Sequence, residues 1–134
     1  MVVDPSAILA IVYAEPEGEI FLHLIAQSEH CLLSSPSYVE ISIVLGARYG
    51  KQGVENLNRL LKELSIVVVP FSPEQARLAA EAFLRFGKGR HPAKLNMGDC
   101  FSYALAKAMN QSLLFKGNDF IQTDIDKVNY ELSQ

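Results

Sequence analysis

Short apolar segments alternate with amphipathic stretches along this chain, and this alternation limits the possible folds more than any other feature. The apolar segments are Val2–Val3, Cys31–Ser34, Ile66–Val69 and residues 113–115, with a candidate fifth at residues 128–132. The first four are each followed by polar or turn residues. Strands that alternate with helices predict a mainly parallel sheet of four to five strands, with helices on both faces.

The stretches between these segments carry apolar residues at helical spacing. They predict helices over residues 7–13, 19–28, 36–50, 54–64, 72–84 and 99–109, and a loop over residues 87–96. The helix at residue 72 has the strongest start signal, because a capping serine precedes Pro73 at the first helical position. The sequence therefore predicts a three-layer α/β/α fold.

Length and composition predict one domain over residues 1–134. No apolar run approaches the ~18 residues of a membrane span. The N-terminus lacks the basic and apolar regions of a signal peptide, so we expect a cytoplasmic protein. Cys31 and Cys100 form no C-x-x-C pair and are expected to be small buried residues. The net charge of −3 disfavours a protein that coats nucleic acid through a basic face, but it does not exclude a nucleic-acid enzyme.

Four acidic residues have neighbours that are unusual for acids. Asp4 ends the first apolar strand and Asp119 follows the fourth, while Glu40 and Asp99 lie in helices that are otherwise largely apolar. Parallel sheets collect function beyond the carboxyl ends of their strands, so we expect the four to meet there. Carboxylates without histidine or thiol partners select Mg²⁺ or Mn²⁺, and a cation would offset their mutual repulsion. This set predicts metal-assisted phosphodiester hydrolysis.

Each acid also has a structural explanation. Asp4 could cap the helix that follows it. Asp99 could lie in the first turn of a helix capped by Asn96. Asp119 could be an ordinary turn residue. Glu40 is the hardest to explain in this way, because its neighbours one helical turn later are an isoleucine and a valine; a salt bridge to a lysine would suffice.

Four stretches of the sequence together resemble a known family. They are V-V-D-P-S-A, S-Y-V-E-I, L-N-M-G-D-C-F-S-Y-A-L-A and L-L-F-K-G-N-D-F. In this order and at this spacing they resemble the PIN-domain ribonucleases, and most of all the VapC-type toxins of bacterial toxin–antitoxin pairs. The resemblance spans essentially the whole chain. It implies a PIN-like fold and a Mg²⁺-dependent endoribonuclease, with Mn²⁺ as an alternative ion, that cleaves tRNA or rRNA. It also implies a homodimer and a neutralising antitoxin.

The resemblance assigns roles to individual residues of this chain. Asp4 and Asp99 would be the principal metal ligands. Glu40 and Asp119 would complete the acidic site, through water or a second metal. Ser6 would hold Asp4 by a hydrogen bond. Thr123 or Asp124 would support the rim of the site.

One departure from the family pattern lies beside the first aspartate. The family usually has a hydroxyl residue there, and this chain has Pro5. Proline removes a backbone donor and fixes φ, which could alter metal or substrate placement. Because Ser6 and all four acids are present, we expect activity to survive; the alternative is a weakened member that mainly binds a partner.

Basic residues flank two of the acids. Lys88, Arg90 and Lys94 lie in the loop before Asp99, and Lys116 precedes Asp119. They could contact RNA phosphates, or they could form a solvated loop and a local charge balance.

Two other functions of α/β folds place an aspartate at a strand end. The mechanism of a haloacid-dehalogenase-like phosphatase requires a second aspartate two residues after the first, and this chain has Ser6 at that position. A phospho-receiver domain has its phospho-accepting aspartate at the end of the third strand, whereas Ile66–Val69 is followed by Pro70. Both are disfavoured.

Overall fold

The computed structural model describes residues 1–132, and four short parallel strands form its centre. The strands are β1 (Val2–Val3), β2 (Cys31–Ser34), β3 (Ile66–Val69) and β4 (Leu113–Leu114). Their order across the sheet is β3-β2-β1-β4, and every neighbouring pair is parallel. The predicted parallel sheet is confirmed. Of the predicted domain, residues 133 and 134 lie outside the described part.

Within residues 1–132, six helices connect and cover these strands. They are α1 (Pro5–Val12), α2 (Gly18–Gln27), α3 (Ser35–Tyr49), α4 (Lys51–Glu63), α5 (Pro73–Phe86) and α6 (Met97–Met109). The predicted helices are confirmed, with shifted boundaries. Helix α1 begins two residues early because Asp4 caps it and Pro5 suits its first position. Helix α6 begins at Met97 because Asn96 caps it.

The candidate fifth strand at residues 128–132 does not form as a strand. Instead, the chain makes a single parallel bridge between Leu113 and Lys127. Val128 N donates to Leu113 O at 3.0 Å and closes this contact. Strand β4 has only two residues, so it offers little backbone for a further partner.

Successive strand residues face opposite sides of the sheet, as the two-residue period of a strand requires. Val2 and Leu113 belong to a buried cluster with α5 and α6. Val3 and Leu114 belong to a second cluster with residues of α1, α2, α3 and α4. The predicted three layers are therefore confirmed.

Strand β1 lies at the point where the chain order reverses. The chain runs outward from β1 to β2 and β3, and then returns to place β4 on the other side of β1. Open α/β sheets form a crevice outside the carboxyl ends of the strands at such a point. Asp4 directly follows β1 and therefore stands at this crevice.

Two further expectations concern burial. Cys31 and Cys100 are both buried and free, as predicted. None of the helices within residues 1–132 is long and apolar enough to cross a membrane.

We predict that two glycines in the α3–α4 hairpin respond in opposite ways to alanine. A Cβ at Gly53 would lie 2.5 Å from Leu45 O, a backbone atom, whereas a Cβ at Gly46 would meet only a side-chain methyl at 3.5 Å. Gly46→Ala should raise the free energy of unfolding by about 0.5–1 kcal/mol, the usual helix-propensity gain. Gly53→Ala should lower it by about 1–3 kcal/mol through overpacking. Urea denaturation measures both, and equal effects would contradict this close helix approach.

Candidate active site at the carboxyl edge of the sheet

Asp4 is a buried carboxylate held from two sides. Its residue exposure is 5%, and it caps α1 through a hydrogen bond from Ser6 N to Asp4 Oδ2 at 3.0 Å. Ser102 Oγ on α6 donates to Asp4 Oδ1 at 2.6 Å. A buried carboxylate needs such donors because losing water is costly. The capping explanation for Asp4 therefore holds, and each oxygen retains acceptor capacity for a further partner.

Asp99 lies in the first turn of α6 within a capping box. Asn96 Oδ1 accepts from Asp99 N at 2.8 Å, and Asp99 Oδ2 accepts from Asn96 N at 3.0 Å. The structural explanation for Asp99 is therefore also correct. The hydrogen bond from Asn96 N occupies only one of the two carboxylate oxygens of Asp99. Asp99 is therefore able to bind a cation as well.

Glu40 lies on an exposed part of α3, and the isoleucine and valine one helical turn later are exposed as well. Ile43 is 66% exposed and Val44 is 37% exposed. The buried face of α3 is formed instead by Ser37, Ile41 and Leu45. The helical period was right, but the apolar residues after Glu40 face outward. Burial cost therefore does not by itself explain why a glutamate stands here.

The Glu40 carboxylate nevertheless lies against the first turn of α6. A Cβ built on Gly98 would overlap Glu40 Oε1. Only a glycine leaves this space, so Gly98 permits Glu40 to approach the N-terminus of α6. This end of a helix carries partial positive charge, which favours a nearby carboxylate.

Asp119 is exposed and lies in the turns that follow β4. Ile121 N donates to Asn118 O at 3.2 Å, and Thr123 Oγ1 donates to Phe120 O at 2.7 Å. Ile125 N donates in turn to Thr123 Oγ1 at 3.3 Å. Thr123 thus shapes the segment that carries Asp119.

The four acids lie within electrostatic reach of one another. Burial raises the pKa of Asp4, with a further increase from the charge of Asp119. Partial desolvation raises the pKa of Glu40, and the charge of Asp4 adds to it. Burial raises the pKa of Asp99 to about 7, and the hydrogen bond from Asn96 opposes this increase. The charges on the other three acids raise it further.

No lysine, arginine or histidine of residues 1–132 forms an ion pair with any of these four acids. Acidic side chains whose charges raise the pKa of Asp4, Glu40 and Asp99, and which form no ion pair within these residues, are suited to a hard divalent cation. Within the same residues, no group of three or more aspartate, glutamate, histidine or cysteine side chains is placed to hold a metal ion. Mg²⁺ does not require one, because it is usually held by one or two carboxylates together with water and phosphate oxygens.

Asp124 contacts a different set of residues. Its carboxylate accepts from Tyr103 Oη at 2.6 Å and lies 3.0 Å from Lys107 Nζ and 3.5 Å from Arg85 Nη1. None of the four acids is among these partners. Asp124 therefore fastens the segment after β4 to α5 and α6, and any support that it gives to the rim of the site is indirect.

The predicted basic residues fall into two groups. Lys88, Arg90 and Lys94 are exposed in the loop before α6, and none of them forms an ion pair in the described part of the chain. Lys116 is different, because its ammonium group is paired with Glu15 and lies 3.3 Å from Glu17. Its charge is already balanced by the α1–α2 connection.

Ser6 connects Asp4 to the segment after β4. Its backbone N–H holds Asp4, and its hydroxyl accepts from Lys116 N at 2.9 Å. Pro5 occupies the first position of α1. The N–H group that Pro5 lacks would have no helical partner at this position in any case, so the departure at residue 5 is accommodated without disturbing Asp4.

Sequence reasoning missed Ser102 and Gly98. The available signals were weak: a lone serine three residues after Asp99 in a helix of small apolar residues, and a glycine beside the acid. Ser102 could not be assigned to Asp4 because the two residues are 98 positions apart in the sequence.

Comparison with known proteins decides the family. A family model described as PIN domain matches residues 1–126. The chain is also 44% identical over 129 residues to a protein named Ribonuclease VapC from Mycolicibacterium smegmatis, and the match covers 96% of this chain and 100% of that protein. This chain belongs to the PIN-domain family, among the VapC ribonucleases.

Solved structures of VapC proteins share this PIN-domain fold. Mycobacterium tuberculosis VapC20, described as a sarcin–ricin loop cleaving toxin, superposes with a TM-score of 0.77 at 17% identity, covering 96% of this chain and 98% of VapC20. VapBC2 from Rickettsia felis, described as bound to a DNA fragment from its promoter, gives 0.76 at 16% identity, covering 97% of this chain and 98% of the matched chain. The α/β/α fold predicted from the sequence is the fold of both.

We predict that this PIN domain, when free of metal, becomes more stable as the pH falls from 8 to about 6. A carboxyl group with a higher pKa in the folded state binds more protons when folded, so stability falls as pH rises between the two pKa values. For Asp99 this window runs from its ordinary 3.8 to about 7. Thermal denaturation in EDTA should therefore give a higher Tm at pH 6 than at pH 8. Asp99→Asn should reduce this difference, and an unchanged difference would contradict the raised pKa.

We also predict that Gly98→Ala acts through Glu40. The added methyl group would displace the Glu40 carboxylate, while alanine suits a helix well. Ribonuclease activity should fall by roughly 10–100-fold, as it commonly does when a residue that supports a metal site is changed, with little loss of Tm. In a Glu40→Gln background the same change should have a smaller effect. Additive losses in the double variant would contradict coupling between the two residues.

Proposed function

We propose that this chain is a divalent-metal-dependent endoribonuclease that acts as the toxin of a type II toxin–antitoxin system. Its membership of the VapC ribonucleases supports a nuclease that acts on RNA. The observation that carries the proposal is the raised pKa of Asp99, to which the charges of the other three acids contribute, beside the crevice at β1, where these acids form no ion pair within residues 1–132. Mg²⁺ is the proposed ion, with Mn²⁺ as a substitute.

Asp4 and Asp99 are proposed as the principal ligands of the ion. A divalent cation held there would polarise the scissile phosphodiester, lower the pKa of an attacking water and stabilise the leaving oxygen. Asp4 supplies a carboxylate that is already oriented by two hydrogen bonds, and Asp99 supplies one fixed by its capping box. Glu40 and Asp119 complete the negative surface around the scissile group, through water or a second ion.

The proposed RNA contacts are the loop residues Lys88, Arg90 and Lys94. They are exposed, free of ion pairs within residues 1–132 and located immediately before α6, which carries Asp99. Lys116 would have to exchange Glu15 and Glu17 for a phosphate, so we assign it a smaller contribution. The substrate is proposed to be tRNA or rRNA. The description of VapC20 as a sarcin–ricin loop cleaving toxin supports an rRNA loop as one candidate.

The proposed assembly is a cytoplasmic homodimer neutralised by an antitoxin protein. The Rickettsia felis structure is described as a VapBC complex bound to promoter DNA, which supports an antitoxin for this chain as well. Exposed apolar side chains on α3, including Val39 and Ile43, are available for contacts with a second copy of the chain or with the antitoxin.

We predict that Asp4→Asn and Asp99→Asn each reduce Mg²⁺-dependent RNA cleavage by more than the roughly 10–100-fold typical of a lost outer contact, because each removes a charged ligand. Cleavage of a mixed tRNA and rRNA pool, followed by sequencing of the new ends, measures the loss and identifies the site. Asp126→Asn is the matched control. Asp126 is an exposed acid in the same segment as Asp119, and its side chain makes no hydrogen bond or ion pair within residues 1–132.

Three outcomes separate the alternatives. Cleavage that persists in both ligand variants would reject the metal-site assignment. Equal losses in all three variants would indicate a general effect of charge. A wild-type protein that cleaves no RNA with Mg²⁺ or Mn²⁺ would favour the partner-binding alternative.

A further inference from the structure

Ser102 is a fully buried serine whose hydroxyl forms a hydrogen bond to a residue outside its own helix. It lies within α6 with 0% exposure, and its Oγ donates to Asp4 Oδ1 at 2.6 Å. A serine inside a helix often bonds to a carbonyl of the preceding turn instead. Here the donor joins α6 to the end of β1, across 98 positions of sequence.

The position of Ser102 on α6 relates it to a second candidate ligand. It follows Asp99 by three residues, so the two side chains share one face of the helix. The hydroxyl bonded to Asp4 is therefore attached to the same rigid surface that carries Asp99. Asp4 Oδ2 is held by Ser6 N at 3.0 Å, so the two hydrogen bonds together limit rotation of the carboxylate.

We propose that Ser102 is a positioning residue that sets the orientation of Asp4 relative to Asp99 and thereby the affinity of the site for a divalent cation. This inference rests on the proposed metal-dependent function. Without the hydroxyl, Asp4 Oδ1 would have no donor inside a closed environment, and the carboxylate could turn away from Asp99. Loss of such an outer contact typically weakens metal affinity by 10–100-fold.

Calorimetric titration of the metal-free protein with Mn²⁺, in the absence of RNA, tests this inference directly. Ser102→Ala removes the donor, and Ser102→Thr keeps a hydroxyl. Ser102→Cys retains the volume with only a weak donor and serves if the alanine variant does not fold. The matched control is Ser42→Ala in α3, since Ser42 Oγ is also buried but has no hydrogen-bond partner within residues 1–132. Tm in EDTA is measured for every variant.

We expect Ser102→Ala to weaken Mn²⁺ binding by roughly 10–100-fold, while Ser42→Ala binds like the wild type and Ser102→Thr recovers most of the affinity. RNA cleavage by Ser102→Ala should recover in part at high Mn²⁺ concentration, which a purely structural loss would not allow. Wild-type affinity in Ser102→Ala would overturn the inference. Equal losses of affinity and Tm in Ser102→Ala and Ser42→Ala would also overturn it, because they would show a general packing effect.

Failure of this inference is distinct from failure of the proposed function. A wild-type protein that neither binds Mn²⁺ nor cleaves RNA rejects the function itself, and Ser102 with it. A wild-type protein that does both, beside a Ser102→Ala variant that is unchanged, rejects only the role of Ser102.

Discussion

The hydrogen bonds that hold the buried carboxylate of Asp4 are the interactions on which the site depends. A charge taken out of water is costly unless donors replace the lost hydration, and Asp4 recruits one donor from α1 and another from α6. These two bonds fasten β1 to a helix on each face of the sheet. The relative placement of the other acids follows, because Asp99 lies on α6 and Glu40 rests against its first turn.

The secondary structure could be predicted because each element carries a local pattern. Helix α5 has a capping serine and a proline at its start, and Ile66–Val69 is a run of β-branched residues. The carboxyl-edge location of Asp4 followed from parallel topology alone. The candidate fifth strand failed because pairing depends on a partner, and the two-residue β4 leaves little backbone to pair with.

The supporting parts of the site could not be predicted, because they depend on contacts between distant segments. Nothing near Ser102 in the sequence indicates that it bonds to Asp4, and nothing near Gly98 indicates that Glu40 needs its space. The helical period around Glu40 was correct, but a period does not reveal which face is buried. For Asp4 and Asp99 the structural and functional explanations are compatible, since a carboxylate that caps a helix retains lone pairs for a cation.

Lys116 follows β4, and its backbone N–H donates to the hydroxyl of Ser6. This bond joins Lys116 to the segment that holds Asp4. Its ammonium group is nevertheless drawn away by Glu15 and Glu17. Glu15 and Glu17 therefore compete with the four acids for the only charge that Lys116 can offer. If Lys116 were free to fold back onto the acids, the protein would neutralise its own site and compete with any metal. Because its ammonium group is held by Glu15 and Glu17, Lys116 forms no ion pair with any of the four acids within residues 1–132.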